Sequence, residues 1–257
     1  MRLLYQSYVD KKNGEAYWEH LGAFLKSRCD PGTEIDIKGI TPHDSYAHPL
    51  VELRCSREMI CNVIRAERDG YDAVLVGHFQ DAGLYEARSV VDIPVIGLGE
   101  ASMLYCCQLA QQIGIVTINP RFIPWFRHQI RKYGLQDRIT GIHSMTFEPG
   151  QILEALGSQQ KTEQVKSLFL DQAQPLIEDG VELILPGGGI PMLLFSKEIA
   201  FNVDGAPIVN GIEIALKMAE MAVYLKKSSG LQVSRVGDYV KAPEEIIDEF
   251  LSNPKGL

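Results

Sequence analysis

A histidine at the predicted end of a buried strand is the first residue of this sequence with a clear capacity for acid–base chemistry. The apolar run from Ala73 to Val76 ends at Gly77, and a helical pattern begins near Asp81. Such a run, bounded by glycine and followed by a helix, is typical of a buried parallel strand. His78 follows it directly, at the edge where open α/β sheets keep their ligands. The pattern predicts a proton-transfer role for His78, and an ordinary loop histidine is the alternative.

Two carboxylates accompany His78 in this pattern and complete the set of catalytic candidates. Asp81 is placed to cap the helix that runs through Glu86, and this is its favoured role. Glu100 follows a Gly-Leu-Gly turn. It either orients His78 or stabilises the positive end of its own helix.

Three glycines follow a second apolar run and form the candidate anion-binding segment. Gly187, Gly188 and Gly189 come after the strand-like residues 181–185. Open backbone N–H groups at a helix start can bind a carboxylate or an enolate oxygen, whereas a tight turn that simply requires glycine is the alternative. Other residues near predicted strand ends are candidate substrate contacts, each with an alternative role in a turn or cap: Gln6, Ser7, Phe79, Thr117, Asn119 and Asn210.

Composition excludes several classes of partner. The chain has 257 residues, of which 46% are hydrophobic and 23% charged, as in ordinary globular proteins. Its formal net charge of −8, without a long run of Lys or Arg, argues against nucleic acid or an anionic membrane surface. No apolar run approaches a membrane span, and the first residues lack the features of a signal peptide. The odd number of cysteines, 5, at spacings that suggest neither zinc nor redox sites, predicts reduced thiols in the cytoplasm.

Cofactor motifs are not recognisable in the sequence. No Gly-x-Gly-x-x-Gly follows the first predicted strand, so a nicotinamide cofactor is not expected. His43, His48, His78 and Asp81 match no established ligand spacing, so no metal site is predicted from them.

Strands and helices alternate along the chain, which predicts an α/β protein with parallel sheets. The expected strands are 3–8, 34–38, 73–76, 93–99, 114–118, 138–143, 181–185 and 206–209. The unit that begins at Ala73 and the unit that begins at Val181 share one order: strand, glycine, short strand, helix. This internal echo predicts two similar domains whose strand ends face one cleft.

Three segments together resemble the aspartate/glutamate/hydantoin racemase superfamily, and most closely its hydantoin racemase-like proteins. They are residues 72–84, 94–102 and 180–189. The resemblance implies two similar α/β domains, each with a parallel four-stranded sheet flanked by helices, and an active site in the cleft between them. The implied first domain is 1–97 plus 208–257, and the second is 98–207. The resemblance also leads us to expect a homo-oligomer.

The chemistry that the resemblance implies is altered at two positions. Family members carry a cysteine at each strand end: one thiolate removes a proton from the α-carbon, and the other thiol delivers one to the opposite face. In this sequence the corresponding positions hold His78 and Gly188. A two-base racemase needs a proton-transfer group on each side of one carbon, and glycine supplies none. We therefore expect a cofactor-independent, one-base isomerase, decarboxylase or lyase that acts on a small carboxylate or a hydantoin-like cyclic imide.

Two other hypotheses stay open at this point. The first is a ring-opening or amide hydrolase in which His78 activates water, with or without a metal. The second is a non-catalytic sensor of small molecules that has kept the cleft.

Overall fold

Two parallel sheets flanked by helices form the framework of residues 1–252, which are the residues that the computed structural model describes. The first sheet has four strands in the order β2-β1-β3-β4, and every neighbouring pair is parallel. The second has three parallel strands in the order β6-β5-β7. The strands are β1 (Arg2–Gln6), β2 (Glu34–Lys38), β3 (Ala73–Val76), β4 (Val95–Gly97), β5 (Ile113–Thr117), β6 (Ile139–Ser144) and β7 (Leu183–Gly187). The predicted α/β class is therefore confirmed.

The prediction of a fourth strand in the second sheet is wrong. Residues 206–209 split into β9 (Ala206–Pro207), which pairs antiparallel with β8 (Asn202–Val203), and a single parallel bridge from Ile208 to Ile184. Pro207 has no N–H to donate to a ladder, so an extended strand at this edge is disfavoured.

Helices connect and cover the strands. They are α1 (Glu15–Arg28), α2 (Pro49–Arg68), α3 (Leu84–Arg88), α4 (Leu98–Leu109), α5 (Phe122–Lys132), α6 (Pro149–Leu156), α7 (Gln159–Glu178), α8 (Gly189–Leu194), α9 (Gly211–Ser229) and α10 (Glu244–Ser252). Within residues 1–252, none of them combines the length and the apolar character that a membrane crossing requires.

The centre of the first sheet is buried on both faces, as expected for parallel strands covered by helices, whereas the edge strand β2 is partly exposed. All four residues of β3 are buried. Leu75 belongs to one apolar cluster and Val76 to another, because successive side chains of a strand point to opposite faces. The cluster that contains Leu75 also contains Ile115 of the second sheet. Helix α9 packs against β3, β4 and α4, and the division into two domains stays a prediction.

The carboxyl ends of β3 and β7 meet, and this meeting positions the site. Gly77 follows β3, and Gly189 lies just beyond β7. A Cβ built on Gly189 would lie 3.6 Å from the carbonyl oxygen of Gly77. The expectation that the two strand ends face each other is thus confirmed.

Candidate active site

A small cavity of about 70 Å³ lies where the two strand ends meet. His78 lines it on one side, and Gly188 lines it on the other. The space is well below the ~300–1,000 Å³ of clefts that hold drug-sized ligands. Without movement of the walls, only a small molecule fits.

His78 is held by a carboxylate and an aromatic ring. Its Nε2 lies 2.7 Å from Oε2 of Glu52, and both residues are 9% exposed. The ring of Tyr8 stacks on the imidazole, with the centroids 3.9 Å apart and the planes 8° from parallel. The ring therefore has a fixed plane, and one of its two nitrogens has a fixed partner.

Helix α2 delivers Glu52 to this position. Pro49 stands at its start, and the side chain of His48 accepts a hydrogen bond from the N–H of Leu50 as the N-cap. Glu52 therefore falls in the first turn, on the buried face of the helix.

The pKa of His78 reflects two opposing effects. Burial disfavours the imidazolium, but the charge and hydrogen bond of Glu52, followed by the charges of Asp44 and Asp81, raise the pKa of His78 above its ordinary 6.5. The imidazolium is thus the stabilised form of this side chain in the site.

Asp44 adds a second carboxylate beside the pair. One ligand atom each of Asp44, Glu52 and His78 can be chosen so that all three lie within 4.8 Å of one another. Oδ1 of Asp44 and Oε1 of Glu52 are buried and have no hydrogen-bond partner among the described residues. Burial raises the pKa of Asp44, an effect that His78 opposes and Glu52 reinforces.

The two walls of the cavity differ in chemistry. All the titratable side chains that line it come from the first 78 residues: Tyr8, Tyr17, Asp44 and His78. The part of the lining that comes from residues 118–191 has no titratable side chain and consists of Ile118, Phe122, Pro149, Gly187, Gly188, Gly189, Ile190 and Pro191. Any proton transfer to a bound molecule by side chains of the described lining must therefore come from the segment before residue 79.

Asp81 does not cap the helix that follows it, and that prediction is wrong. The N-cap of α3 is Gly83, without a side-chain bond. Asp81 has φ +52 and turns its carboxylate to the start of α4, where it accepts hydrogen bonds from the N–H groups of Gly99 and Glu100. Gln129 and Tyr133 of the α5 region donate to it as well. Burial raises its pKa to about 6.

Glu100 forms its hydrogen bonds with Arg88 and not with His78, the partner considered in the sequence analysis. Both of its carboxylate oxygens accept hydrogen bonds from the guanidinium of Arg88. Of the two roles considered, orientation of His78 is therefore wrong, because Glu52 contacts the imidazole instead.

Two physical requirements favour glycine in the segment 187–189: the space around Gly187 is too small for a Cβ, and Gly188 has a positive φ. A Cβ on Gly187 would lie 2.7 Å from Phe126 and 2.8 Å from Ile115. Gly188 has φ +148, and its N–H donates to the carbonyl of Pro186. The N–H groups of Gly189 and Ile190 lie in the first turn of α8, where helix geometry gives them no partner within the helix.

Phe79 is among the residues that line the cavity, and its contact with substrate stays a prediction, whereas the polar candidates lie outside the lining and bind backbone groups. Gln6 donates to the carbonyls of Ser7 and Lys38, and the Ser7 hydroxyl donates to the carbonyl of Val9. Thr117 donates to the carbonyl of Gly187 at 3.2 Å and so holds the glycine segment.

Asn119 and Asn210 act at helix starts. Oδ1 of Asn119 accepts from the N–H of Arg121, and its amide donates to the carbonyl of Phe147. Asn210 caps α9 through the N–H of Ile212 and borders a separate groove between α4 and α9. Neither residue lines the cavity that contains His78.

Glu52, Asp44 and Tyr8 are the site residues that sequence reasoning missed. A signal existed for Glu52: it stands at the spacing i, i+3, i+4, i+7 with Cys55, Ser56 and Met59, all of them buried. A carboxylate on the buried stripe of a helix needs a partner, and that requirement points to a nearby histidine or cation.

The fold and the site define an α/β protein with a buried histidine–carboxylate pair where two parallel sheets meet. The chain belongs to the Asp/Glu/Hydantoin racemase family, which it matches over residues 26–219. The proposed superfamily is therefore confirmed.

Individual relatives and solved structures agree with this assignment. The chain is 29% identical over 175 residues to a hydantoin racemase of Pseudomonas sp. (strain NS671), covering 68% of each chain. It is 29% identical over 188 residues to a hydantoin racemase of Paenarthrobacter aurescens, covering 73% of this chain and 75% of the relative. An allantoin racemase from Klebsiella pneumoniae has the same fold, with a TM-score of 0.77 and 24% identity over 95% of this chain and 94% of that one. A glutamate racemase from Bacillus anthracis follows with a TM-score of 0.61 and 16% identity, covering 89% and 82%.

Proposed function

We propose that this protein is a cofactor-independent enzyme that transfers protons on one face of a small carboxylate or hydantoin-like cyclic imide. The observation that carries the proposal is the difference between the two cavity walls. Among the described residues, the lining from the first 80 residues bears His78 backed by Glu52, whereas the lining from residues 118–191 bears no titratable side chain. Racemisation by two protein bases requires such a group on each side of the carbon.

His78 serves as base and then as acid in this proposal. In the tautomer in which Nε2–H donates to Glu52, Nδ1 carries the lone pair that takes a proton from a carbon next to a carbonyl group. The carboxylate of Glu52 stabilises the imidazolium that forms, and Tyr8 keeps the ring in its plane. The imidazolium then returns its proton from the same side.

Several reactions fit this single-sided arrangement. A one-base isomerase moves the proton to another atom on the same face, and a decarboxylase delivers a proton to the carbanion that loss of CO₂ leaves behind. A lyase uses His78 to remove the proton whose loss expels a neighbouring group. Each needs one acid–base group, so each is compatible with glycine at position 188.

The small cavity and the named relatives support the substrate class. The curated relatives are hydantoin racemases, and the solved structures include allantoin and glutamate racemases. Their substrates are small molecules that carry carbonyl or carboxylate oxygens. The first-turn N–H groups of Gly189 and Ile190 are candidate donors for such an oxygen in this chain.

Solvent exchange tests the proposal directly. Both enantiomers of candidate hydantoins and amino acids are incubated in D₂O, and polarimetry is combined with mass spectrometry. We expect deuterium incorporation with retention of configuration and without appreciable racemisation. His78→Ala should lower the exchange rate by ~10²–10⁴-fold and change binding much less. His43→Ala is the matched control, because His43 pairs with Asp10 and lies outside the cavity lining. Fast racemisation, with deuterium in both enantiomers, would mean that a second base acts in this site.

A hydrolase is the second candidate, and the same histidine–carboxylate pair favours it. With Glu52 behind it, His78 is able to take a proton from water that attacks a ring amide. Ring opening creates a carboxylate that titration detects. Carboxylate release without carbon–deuterium exchange would favour this candidate over the first. Binding of a ligand with neither reaction would favour the sensor hypothesis.

A further inference from the structure

The cluster of Asp44, Glu52 and His78 has more acceptor atoms than the protein satisfies. Glu52 uses Oε2 for His78, while within residues 1–252 neither its Oε1 nor Oδ1 of Asp44 has a hydrogen-bond partner. These are buried atoms, and a buried acceptor without a partner destabilises the folded state. Two independent residues thus present unpaired oxygens beside one imidazole.

The charges of the cluster also lack a balance. Two carboxylates face one histidine, so even with a protonated imidazole the group carries a net charge of −1. The charge of the nearby Arg54 guanidinium acts on Asp44 by lowering its pKa, but the N–H groups of Arg54 donate to the carbonyl oxygens of Pro42 and His43. A divalent cation bound by two carboxylates and a neutral imidazole would make the buried group neutral overall.

We propose that Asp44, Glu52 and His78 form a binding site for one divalent transition-metal cation of the Zn²⁺ or Mn²⁺ class. One nitrogen and two carboxylate oxygens are a donor set that such ions accept. Ligand atoms about 2.1 Å from zinc in a tetrahedral site lie about 3.4 Å apart. The three protein atoms lie within 4.8 Å of one another, so small side-chain rotations bring them to that spacing.

The cation and the shared proton exclude each other. His78 uses Nε2 either to donate to Glu52 or to bind the ion, and the ion then takes the place of that proton. Because Asp44 and His78 line the cavity, a fourth ligand of the ion comes from the cavity. The inference does not rest on the proton-transfer function, since it concerns equilibrium binding to side chains.

Direct binding measurements test the site. The full chain is stripped with a chelator and titrated with Zn²⁺ by calorimetry, and Co²⁺ is added to a second sample for its absorption spectrum. We expect one site and a cobalt spectrum of nitrogen and oxygen ligands. Asp44→Asn should weaken binding more than ~10-fold, the lower end of what even changes behind the ligands cost. His43→Gln is the control, because the His43–Asp10 pair, 3.6 Å apart, is a histidine–carboxylate contact outside this cluster.

Three results would overturn the inference. They are the absence of stoichiometric binding by the wild-type chain, equal affinity in Asp44→Asn, and a thiolate-to-cobalt charge-transfer band, which would place the ion on a cysteine. The wild-type spectrum decides the question even if a variant fails to fold. Failure of metal binding leaves the exchange experiment untouched, and failure of exchange leaves the binding result untouched.

Discussion

At the scale of single residues, the state of His78 depends on a carboxylate that lies 26 residues earlier in the chain. Burial alone would favour a neutral imidazole, and Glu52 reverses that preference. Glu52 also chooses which nitrogen holds a proton. The residue that touches substrate in the proposed reaction is therefore controlled by one that does not.

Glu52→Gln tests this control in chelator-treated protein. An amide cannot stabilise the imidazolium by charge, so we expect deuterium exchange to fall by ~10²-fold or more. The pH profile should move as well. In the wild type the base must lose its proton, so exchange rises with pH through a pKa above 6.5. In the variant that midpoint should shift to lower pH, because burial then acts without the carboxylate of Glu52.

Glu58→Gln is the matched control on the same helix. Glu58 accepts a hydrogen bond from the N–H of Thr41, which an amide oxygen also does. Its profile should match that of the wild type. An unchanged midpoint in Glu52→Gln would show that Glu52 does not set the protonation of His78.

The sequence pattern identifies His78 but not its partner, and the reason is physical. A strand end is a local signal that an apolar run and a glycine reveal. The approach of Glu52 depends on the packing of α2 against β3, which no short window of sequence contains. Asp81 and Glu100 were assigned from neighbouring residues for the same reason, and their actual partners lie up to 52 positions away.

At the scale of elements, Asp81 is the junction between the His78 segment, α4 and α5. Its carboxylate accepts from two backbone N–H groups at the start of α4 and from two side chains of the α5 region. The carbonyl of Phe79 also accepts from Gln129. The segment after β3 is therefore hydrogen-bonded both to the start of α4 and to the α5 region.

Asp81→Asn should destabilise this junction. The amide nitrogen would face groups that donate hydrogen bonds, and buried donors would lose their acceptor. We expect a loss of about 2–4 kcal/mol in the free energy of unfolding, because hydrogen bonds to charged groups contribute ~1.5–3 kcal/mol each. Urea unfolding followed by circular dichroism measures it. The exposed Asp137→Asn is the control and should change stability by less than ~0.5 kcal/mol. A similarly small change in Asp81→Asn would show that these bonds do not stabilise the fold.

The local sequence pattern predicts the strands of the first sheet, but it does not predict helices α6 and α10. Strands β1 to β4 are predictable because each is an apolar or alternating run bounded by turn residues. Helix α10 is not among the predicted elements, although Ile247, Phe250 and Leu251 stand at helical spacing and pack against one apolar cluster. Helix α6 depends on a capping box between Glu148 and Gln151 that the pattern of apolar residues does not reveal.

At the scale of the whole molecule, the five thiols all lie outside the lining of the cavity. Cys55, Cys61 and Cys106 are buried, and Cys29 and Cys107 are partly buried. Burial raises the pKa of Cys55 and of Cys106 to about 12, so both are thiols at neutral pH. None of the five lines the cavity that holds His78.

Treatment with iodoacetamide should therefore leave proton exchange largely intact. Alkylation requires an accessible thiolate, and the cavity offers none. Activity is followed during modification, and mass spectrometry identifies the modified cysteines. Rapid inactivation that substrate prevents would place a reactive thiol at the site and contradict the proposed role of His78.

The fold class and the facing strand ends could be predicted because they depend on the alternation of elements and on an internal repeat of one unit. The missing fourth strand of the second sheet could not, because it depends on one proline and on pairing with β8. The sequence led us to expect that position 188 lacks a titratable side chain. In the structure the neighbouring lining residues Ile118, Phe122 and Pro149, which come from different helices and loops, lack one as well.

The backbone conformation at Gly188 makes it difficult for evolution to place a reactive side chain at this position. Its φ of +148 is a conformation that residues with side chains rarely adopt, and the ring of Pro191 lies 3.2 Å from the place of a Cβ. A codon change to cysteine would therefore meet both a strained backbone and a crowded neighbour. A reactive side chain at position 188 therefore requires a change of the local backbone and of Pro191 as well. The conformation at Gly188 thus limits which reactions related sequences can acquire by a single substitution at this position.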